Sequence, residues 1–328
     1  MRDLYQRLSG IGFDAKFVRA VILPDWWDDS LASEPANRAI AELAIARHLG
    51  LKTASLRNPA EPLSLPSLAD FRLKCSKNTP AEDVWPSVIV SQRAARLVVE
   101  LVEGMPPFSA PSSALALREQ ILERQPYVAL KSLADLCWQS GIVVIHIAPE
   151  RLPKARRFHG IALFCGQTPV IVLGSGRDSR PWLAFHLAHE LGHLCLKHVS
   201  VAGRPVVDSN IDRIDDDSEE MASNEFATEL LTGEKQLALK RERGMTGSRL
   251  ADAASRYGLA HKIDPGTVAL IYARSVGKWP IAQVALRYLG QRSGAKKTLA
   301  DALLQHRRVK DIPESSARFL GVLSAEFA

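Results

Sequence analysis

The sequence predicts an α+β fold that is mostly α-helical, with a small three-stranded sheet packed against one helix. Most of the chain places apolar residues at helical spacing, whereas a β-branched run at 142–147 and two short apolar runs at 159–165 and 169–173 lie close together. A further helical pattern opens after Asp178-Ser179, a pair of residue types that favours helix N-caps. Hydrophobic residues make up 46% and charged residues 24%, which excludes a disordered or collagen-like chain.

Breaks in this pattern divide the chain into three regions. Prolines and glycines cluster at 104–111, and a basic helical pattern begins near 278. The predicted regions are an N-terminal helical region at 1–110, a central core at 111–277 and a basic C-terminal helical region at 278–328. About residues 36–57 resemble a helix-turn-helix with Gly50 at the turn. Residues 1–60 are almost neutral, however, which disfavours DNA as a partner and favours a helical docking module.

The net charge of +6 is unevenly placed. Residues 281–310 carry seven lysines and arginines against one aspartate, and residues 208–220 carry seven acidic residues against one arginine. Solvated surfaces are the favoured interpretation, and a polyanion-binding patch is the alternative for the basic segment. Four widely spaced cysteines without a Cys-x-x-Cys pair, no apolar run of membrane-spanning length and no secretory signal predict a cytoplasmic protein without a membrane partner.

The chemistry is predicted from the run His189-Glu190-Leu191-Gly192-His193. On a helix, His189 and His193 lie one turn apart on one face, where both imidazoles can bind one zinc ion. Zinc lowers the pKa of its bound water toward about 7, and Glu190 can accept the proton as that water attacks a peptide carbonyl. Glycine lowers the stability of a helix relative to alanine, so the presence of Gly192 is explained if another backbone or the substrate comes close there. The alternative is a solvated helix face without a metal.

A catalytic zinc needs a third protein ligand. The metzincin pattern fails because Leu196 and Val199 replace its glycine and histidine. A following helix, which Ser218 could cap, offers Glu220, with Glu219 as the main competitor. Both acids could also act only as first-turn carboxylates that complement the helix dipole.

The strand pair, the run 182–193 and the pattern Glu220-x-x-Ser223-Asn224-x-Phe226-Ala227 resemble the ImmA/IrrE family of metallopeptidases over about residues 115–235. The resemblance implies a zincin-like, gluzincin-type core with His189, His193 and Glu220 as ligands and Glu190 as the catalytic carboxylate. It also implies zinc as cofactor, with manganese as the alternative. The implied partner is a cognate helix-turn-helix repressor or antitoxin, cleaved inside the cell in a stress or toxin–antitoxin response. Ser223 and Thr232-Gly233 depart from the usual family residues.

Two further features complete the expected site. His159 could polarise the scissile carbonyl or stabilise the oxyanion, although a structural histidine is the alternative. The strand Gly160–Phe164 could pair with an extended substrate. The expected function is an intracellular zinc endopeptidase acting on a regulatory protein. The alternatives are a DNA- or regulator-binding protein with a secondary or degenerate peptidase site, and a structural partner in a toxin–antitoxin pair.

Overall fold

In a computed structural model, the described residues confirm the mostly helical α+β class. The structure describes residues 1–66, 72–73, 81–102, 104–109, 113–153, 158–199, 214–306 and 312–324, and only the backbone of 72–73, 81–83 and 214–217. Most of the predicted acidic segment and the end of the basic segment, including Arg307, Arg308 and Lys310, therefore lie outside this description.

The helices are named in chain order. They are α1 (Arg2–Gly10), α2 (Ala15–Phe17), α3 (Pro35–Leu49), α4 (Thr53–Arg57), α5 (Ala81–Leu101), α6 (Ala114–Leu122), α7 (Leu130–Gln139), α8 (Arg180–Cys195), α9 (Ile214–Thr232), α10 (Gly247–His261), α11 (Pro265–Val276), α12 (Trp279–Tyr288), α13 (Ala295–His306) and α14 (Glu314–Leu323). None of the helices in the described ranges combines the length and apolarity needed to cross a bilayer.

The sheet contains the three predicted strands and one short addition. The strands are β1 (Arg72–Leu73), β2 (Val143–His146), β3 (Gly160–Cys165) and β4 (Thr168–Leu173), in the order β1-β3-β4-β2. Strands β3 and β4 are antiparallel, and β2 runs parallel to β4. Strand β1 was not predicted, and its antiparallel pairing with Ile161 and Ala162 means that β3 is not an open edge at these positions. At Ile161 and Ala162, the backbone groups on the edge of β3 thus already pair with another strand of the same chain.

Helix α8 lies on this sheet, and its burial follows from its apolar residues. Its side chains from Leu183 to Leu194 are almost all buried between the strands, α7 and α9. The expected cap is corrected in part, because Ser179 occupies the N-cap position but its hydroxyl makes no capping hydrogen bond. Asp178 instead accepts hydrogen bonds from the backbone N–H groups of Gly294 and Lys296, at 2.9 and 2.8 Å, and so caps α13.

The segment that resembles a helix-turn-helix is not confirmed as one. Gly50 ends α3 in the left-handed conformation (φ 67°), as the sequence predicts. The following helix α4 has only five residues, of which Ser55 and Leu56 are buried, so it is shorter than a helix that reads DNA bases from the major groove.

Three hydrophobic clusters organise the described residues. One extends from α1 through the sheet and α8 to α13 and α14, the second joins α10, α11 and α12, and a small third one joins α11 and α12 beside Trp182. The N-terminal and C-terminal helices thus contribute to the same core as the sheet. The boundaries at 110 and 277 stay predictions.

Candidate metal centre

Two helices bring three potential metal ligands together. The Nε2 atoms of His189 and His193 on α8 are 3.1 Å apart. Glu220 on α9 places Oε2 3.3 Å from His189 Nε2 and Oε1 3.3 Å from His193 Nε2. Both imidazoles are buried, whereas the Glu220 side chain is 32% exposed. The cluster is therefore buried at its base and open toward solvent on the carboxylate side.

These separations fit a tetrahedral metal site. Ligand bonds of about 2.0–2.1 Å at tetrahedral angles place neighbouring ligand atoms about 3.3 Å apart. Among the described residues, His189, His193 and Glu220 form the one group of three metal-ligating side chains, and Glu219 is not part of it. Three protein ligands leave a fourth position for water or substrate, as in catalytic zinc sites.

The charge state of Glu220 fits the same role. Burial disfavours its carboxylate, but the contacts with His189 and His193 outweigh this, and the pKa of Glu220 lies well below its ordinary value. The ligand therefore presents anionic oxygens. The predicted cap is wrong, because α9 begins at Ile214 and Ser218 lies inside the helix.

Outer hydrogen bonds orient both imidazoles. His189 Nδ1 lies 3.2 Å from Asn224 Oδ1, so Nδ1–H donates to the amide oxygen and the lone pair of the imidazole is on Nε2, which faces Glu220 and His193. His193 Nδ1 lies 3.1 Å from His198 Nδ1, which is also 3.3 Å from Ser223 Oγ. No sequence pattern predicts this contact, although His198 follows the end of α8 by only three residues.

The register of α9 is set by close packing and by one buried cation. A Cβ on Gly192 would lie 3.3 Å from Ser223 Cα and 3.2 Å from Phe226 Cδ1, so the glycine allows the backbone approach that the sequence predicts.

Arg118 on α6 holds the far end of α9. Its guanidinium donates to the carbonyls of Leu230 and Leu231 on α9 and of His261 and Lys262 at the end of α10. A buried cation thus satisfies the carbonyls at two helix C-termini.

Glu190 lies on the sheet side of the metal ligands. Its side chain is fully buried, and a Cβ on Gly160 would lie 2.6 Å from Glu190 Cγ. Only glycine lets β3 approach this carboxylate so closely. His159 precedes Gly160, and its ring stacks on the ring of His186, with centroids 4.8 Å apart. The structure thus places His159 beside the strand that contacts Glu190, while its catalytic role stays a prediction.

Comparison with known proteins supports this arrangement. Residues 137–263 match the model of the peptidase family M78, described as the IrrE N-terminal-like domain. No match was found among curated proteins or among solved structures. The matched segment contains β2, β3, β4, α8 and α9, and thus Glu190 and all three candidate metal ligands. This confirms, over residues 137–263, the resemblance to the ImmA/IrrE family that the sequence predicts.

Proposed function

We propose that this protein is a zinc-dependent endopeptidase that hydrolyses a peptide bond in a partner protein. The observation that carries the proposal is the convergence of His189, His193 and Glu220 next to the buried carboxylate of Glu190. Two imidazoles and one carboxylate are the ligand set of many catalytic zinc sites, whereas manganese prefers a site richer in oxygen.

Each side chain has a distinct role in this proposal. His189, His193 and Glu220 hold the cation, which supplies Lewis acidity for activating water and polarising a carbonyl. Glu190 accepts the proton of the attacking water at its carboxylate and delivers it to the leaving nitrogen. Because this carboxylate is buried, its proton exchanges little with bulk water and can pass to the departing amine.

We propose His159 as a further participant that stabilises the negative charge developing on the carbonyl oxygen. Its support is its position immediately before Gly160, which packs on Glu190. His159→Gln should lower kcat about 100-fold while KM changes little, because an oxyanion contact acts mainly in the transition state. A loss confined to KM would contradict this role.

For the substrate, we propose a helix-turn-helix repressor or antitoxin of the same cell, as the family resemblance implies. Extended peptides commonly bind proteases by strand addition. Strand β3 already pairs with Arg72–Leu73 at Ala162 and Ile161, so β1 occupies part of the edge that a substrate strand would use. A substrate strand would then either replace β1 or extend along the remainder of β3.

The test is cleavage of the regulator encoded beside this gene. Purified full-length protein with one equivalent of zinc is incubated with that regulator, and the fragments are mapped by mass spectrometry. We expect one main cut, abolished in Glu190→Gln, which should still bind one zinc. Glu219→Gln is the matched control and should cleave normally. Cleavage by Glu190→Gln at the rate of the unaltered protein would overturn the proposed base.

A further inference from the structure

A second cavity lies at the opposite end of α8 from the metal ligands. Its volume is about 570 Å³, within the range of small-molecule sites. Ten residues of helix separate Ser179 from His189, or about 15 Å along the axis. The walls come from the residues before α8, from α12 and from the segment between α12 and α13. The lining side chains that matter here are Arg177, Asp178, Ser179, Trp279, Gln283 and Arg292.

The cavity carries an excess of positive charge. Within the described ranges, the guanidinium groups of Arg177 and Arg292 take part in no ion pair and donate no hydrogen bond. The acidic side chain on the wall is Asp178, and both of its oxygens accept backbone hydrogen bonds from Gly294 and Lys296. Its charge is thus already used to cap α13, and the two arginines are left to attract an anion.

Aromatic contacts shape the same wall. The Arg177 guanidinium lies 3.9 Å from the ring centroid of Trp182, which in turn meets the Trp279 ring edge-on at 5.9 Å. Trp279 itself is 41% exposed. One tryptophan therefore positions Arg177, and the other leaves indole surface available to a flat ring.

Two buried polar atoms at or next to this wall have no hydrogen-bond partner among the described residues. They are Oγ of Ser179, which lines the cavity, and Nε1 of Trp182, whose ring contacts Arg177 but does not line the cavity. Buried donors are normally satisfied, and an unsatisfied donor costs about 1–3 kcal/mol in proteins. Their position at the N-terminus of α8 adds the favourable end of a helix dipole for a bound anion.

We propose that this cavity binds a small organic phosphate that carries a flat ring, as nucleotides do. A terminal phosphate offers three acceptor oxygens and a charge near −2, enough for the two guanidiniums, whereas one carboxylate saturates a single arginine. The ring contacts Trp279. This assignment is independent of peptidase activity, because it rests on residues outside the metal centre.

The test is isothermal titration of the zinc-loaded full-length protein with adenosine 5′-monophosphate, inorganic phosphate and adenosine. We expect the nucleotide to bind at one site, about tenfold more tightly than phosphate and more tightly than adenosine. In the double variant Arg177→Gln, Arg292→Gln the nucleotide affinity should fall by at least about tenfold. Arg287→Gln, an exposed arginine of α12 outside the cavity, is the matched control and should bind like the unaltered protein.

Three outcomes would overturn the proposal. The first is that the nucleotide does not bind, and the second is that adenosine binds as tightly as the nucleotide. The third is that the double variant binds the nucleotide as the unaltered protein does, which would indicate that the zinc ion captures the phosphate. Trp279→Ala tests the ring contact separately, since it should weaken the nucleotide but not phosphate. Equal affinity for phosphate and nucleotide in the unaltered protein would refute that contact.

Discussion

The two ends of α8 differ in almost every property that matters for binding. Toward the C-terminus, His189, Glu190 and His193 are buried and converge with Glu220 on one point. At the N-terminus, the cavity beside Ser179 is open and lined by two arginines. The difference follows the helix dipole, which favours cations near the C-terminus and anions near the N-terminus. One helix can therefore favour a cation near its C-terminus and an anion at its N-terminus.

The ends also differ in how their side chains are held. At the metal end, each imidazole is oriented through Nδ1, by Asn224 for His189 and by His198 for His193. At the other end, the ring face of Trp182 positions Arg177, and Arg292 has no ion pair with the described residues. We therefore expect substitutions around the metal end to have larger effects than those around the cavity.

The largest expected effect tests which acid belongs to the metal end. Glu220→Gln should lower zinc affinity by about 100-fold or more, because it removes an anionic ligand from the site. Glu219→Gln is the matched control and should leave zinc binding unchanged, since Glu219 is outside the ligand group. Zinc content and affinity are measured by competition with a chelator. The reverse pattern would assign the ligand to Glu219.

A large effect on stability is expected where α9 is anchored. Arg118→Met leaves four helix-end carbonyls without their donor, of which those of Leu230 and Leu231 are buried, and should lower the free energy of unfolding by about 3 kcal/mol. Arg124→Met, an exposed arginine just after the same helix, should change it little. Urea unfolding of the metal-free protein measures both. Equal stabilities would show that Arg118 does not anchor α9.

A smaller effect is expected from the groups that orient the ligands. Asn224→Ala should weaken zinc binding about 10- to 100-fold, because His189 loses the acceptor that fixes its tautomer. Met221→Ala, on the exposed side of α9, is the control. Chelator competition again gives the affinities. If Asn224→Ala bound zinc normally, the orientation of His189 would have to come from the helix alone.

The smallest expected effect concerns His48, a buried histidine outside the metal end, and its influence on the pH dependence of stability. His48 is buried, stacks on Phe319 and makes no hydrogen bond among the described residues. Burial, together with Arg93, Arg47 and Arg318, lowers its pKa to about 3. The unfolded chain takes up a proton near pH 6.5 while the folded one does not, so His48 costs stability as pH falls below 6.5, by up to about 1.4 kcal/mol per pH unit.

Replacement of this imidazole should therefore flatten the pH dependence. His48→Leu should lose less stability than the unaltered protein between pH 7 and pH 5 in urea unfolding. His261→Gln, which changes an exposed imidazole, serves as control. The same slope in His48→Leu and in the unaltered protein would mean that His48 is already solvated in the folded state.

Local sequence was sufficient for features that depend on one element. The i, i+4 spacing of two histidines on a helix determines that their Nε2 atoms can meet, and these atoms lie 3.1 Å apart. The short β-branched and apolar runs likewise predicted β2, β3 and β4, because strand propensity and turn residues act over a few positions. Expectations about caps were weaker, since Asp178 caps α13 rather than α8.

Chemistry within a single stretch of chain thus determined the helix that carries both histidines, the buried carboxylate of Glu190 beside them and the mostly helical class. Tertiary structure alone decided that Glu220 rather than Glu219 faces the imidazoles, because the packing of α9 against Gly192 sets its rotation. It also decided the contact between His193 and His198, the added strand β1 and the cavity that joins Arg177 to Arg292. These features join residues distant in sequence or rest on small rotations of packed helices, which local patterns do not encode.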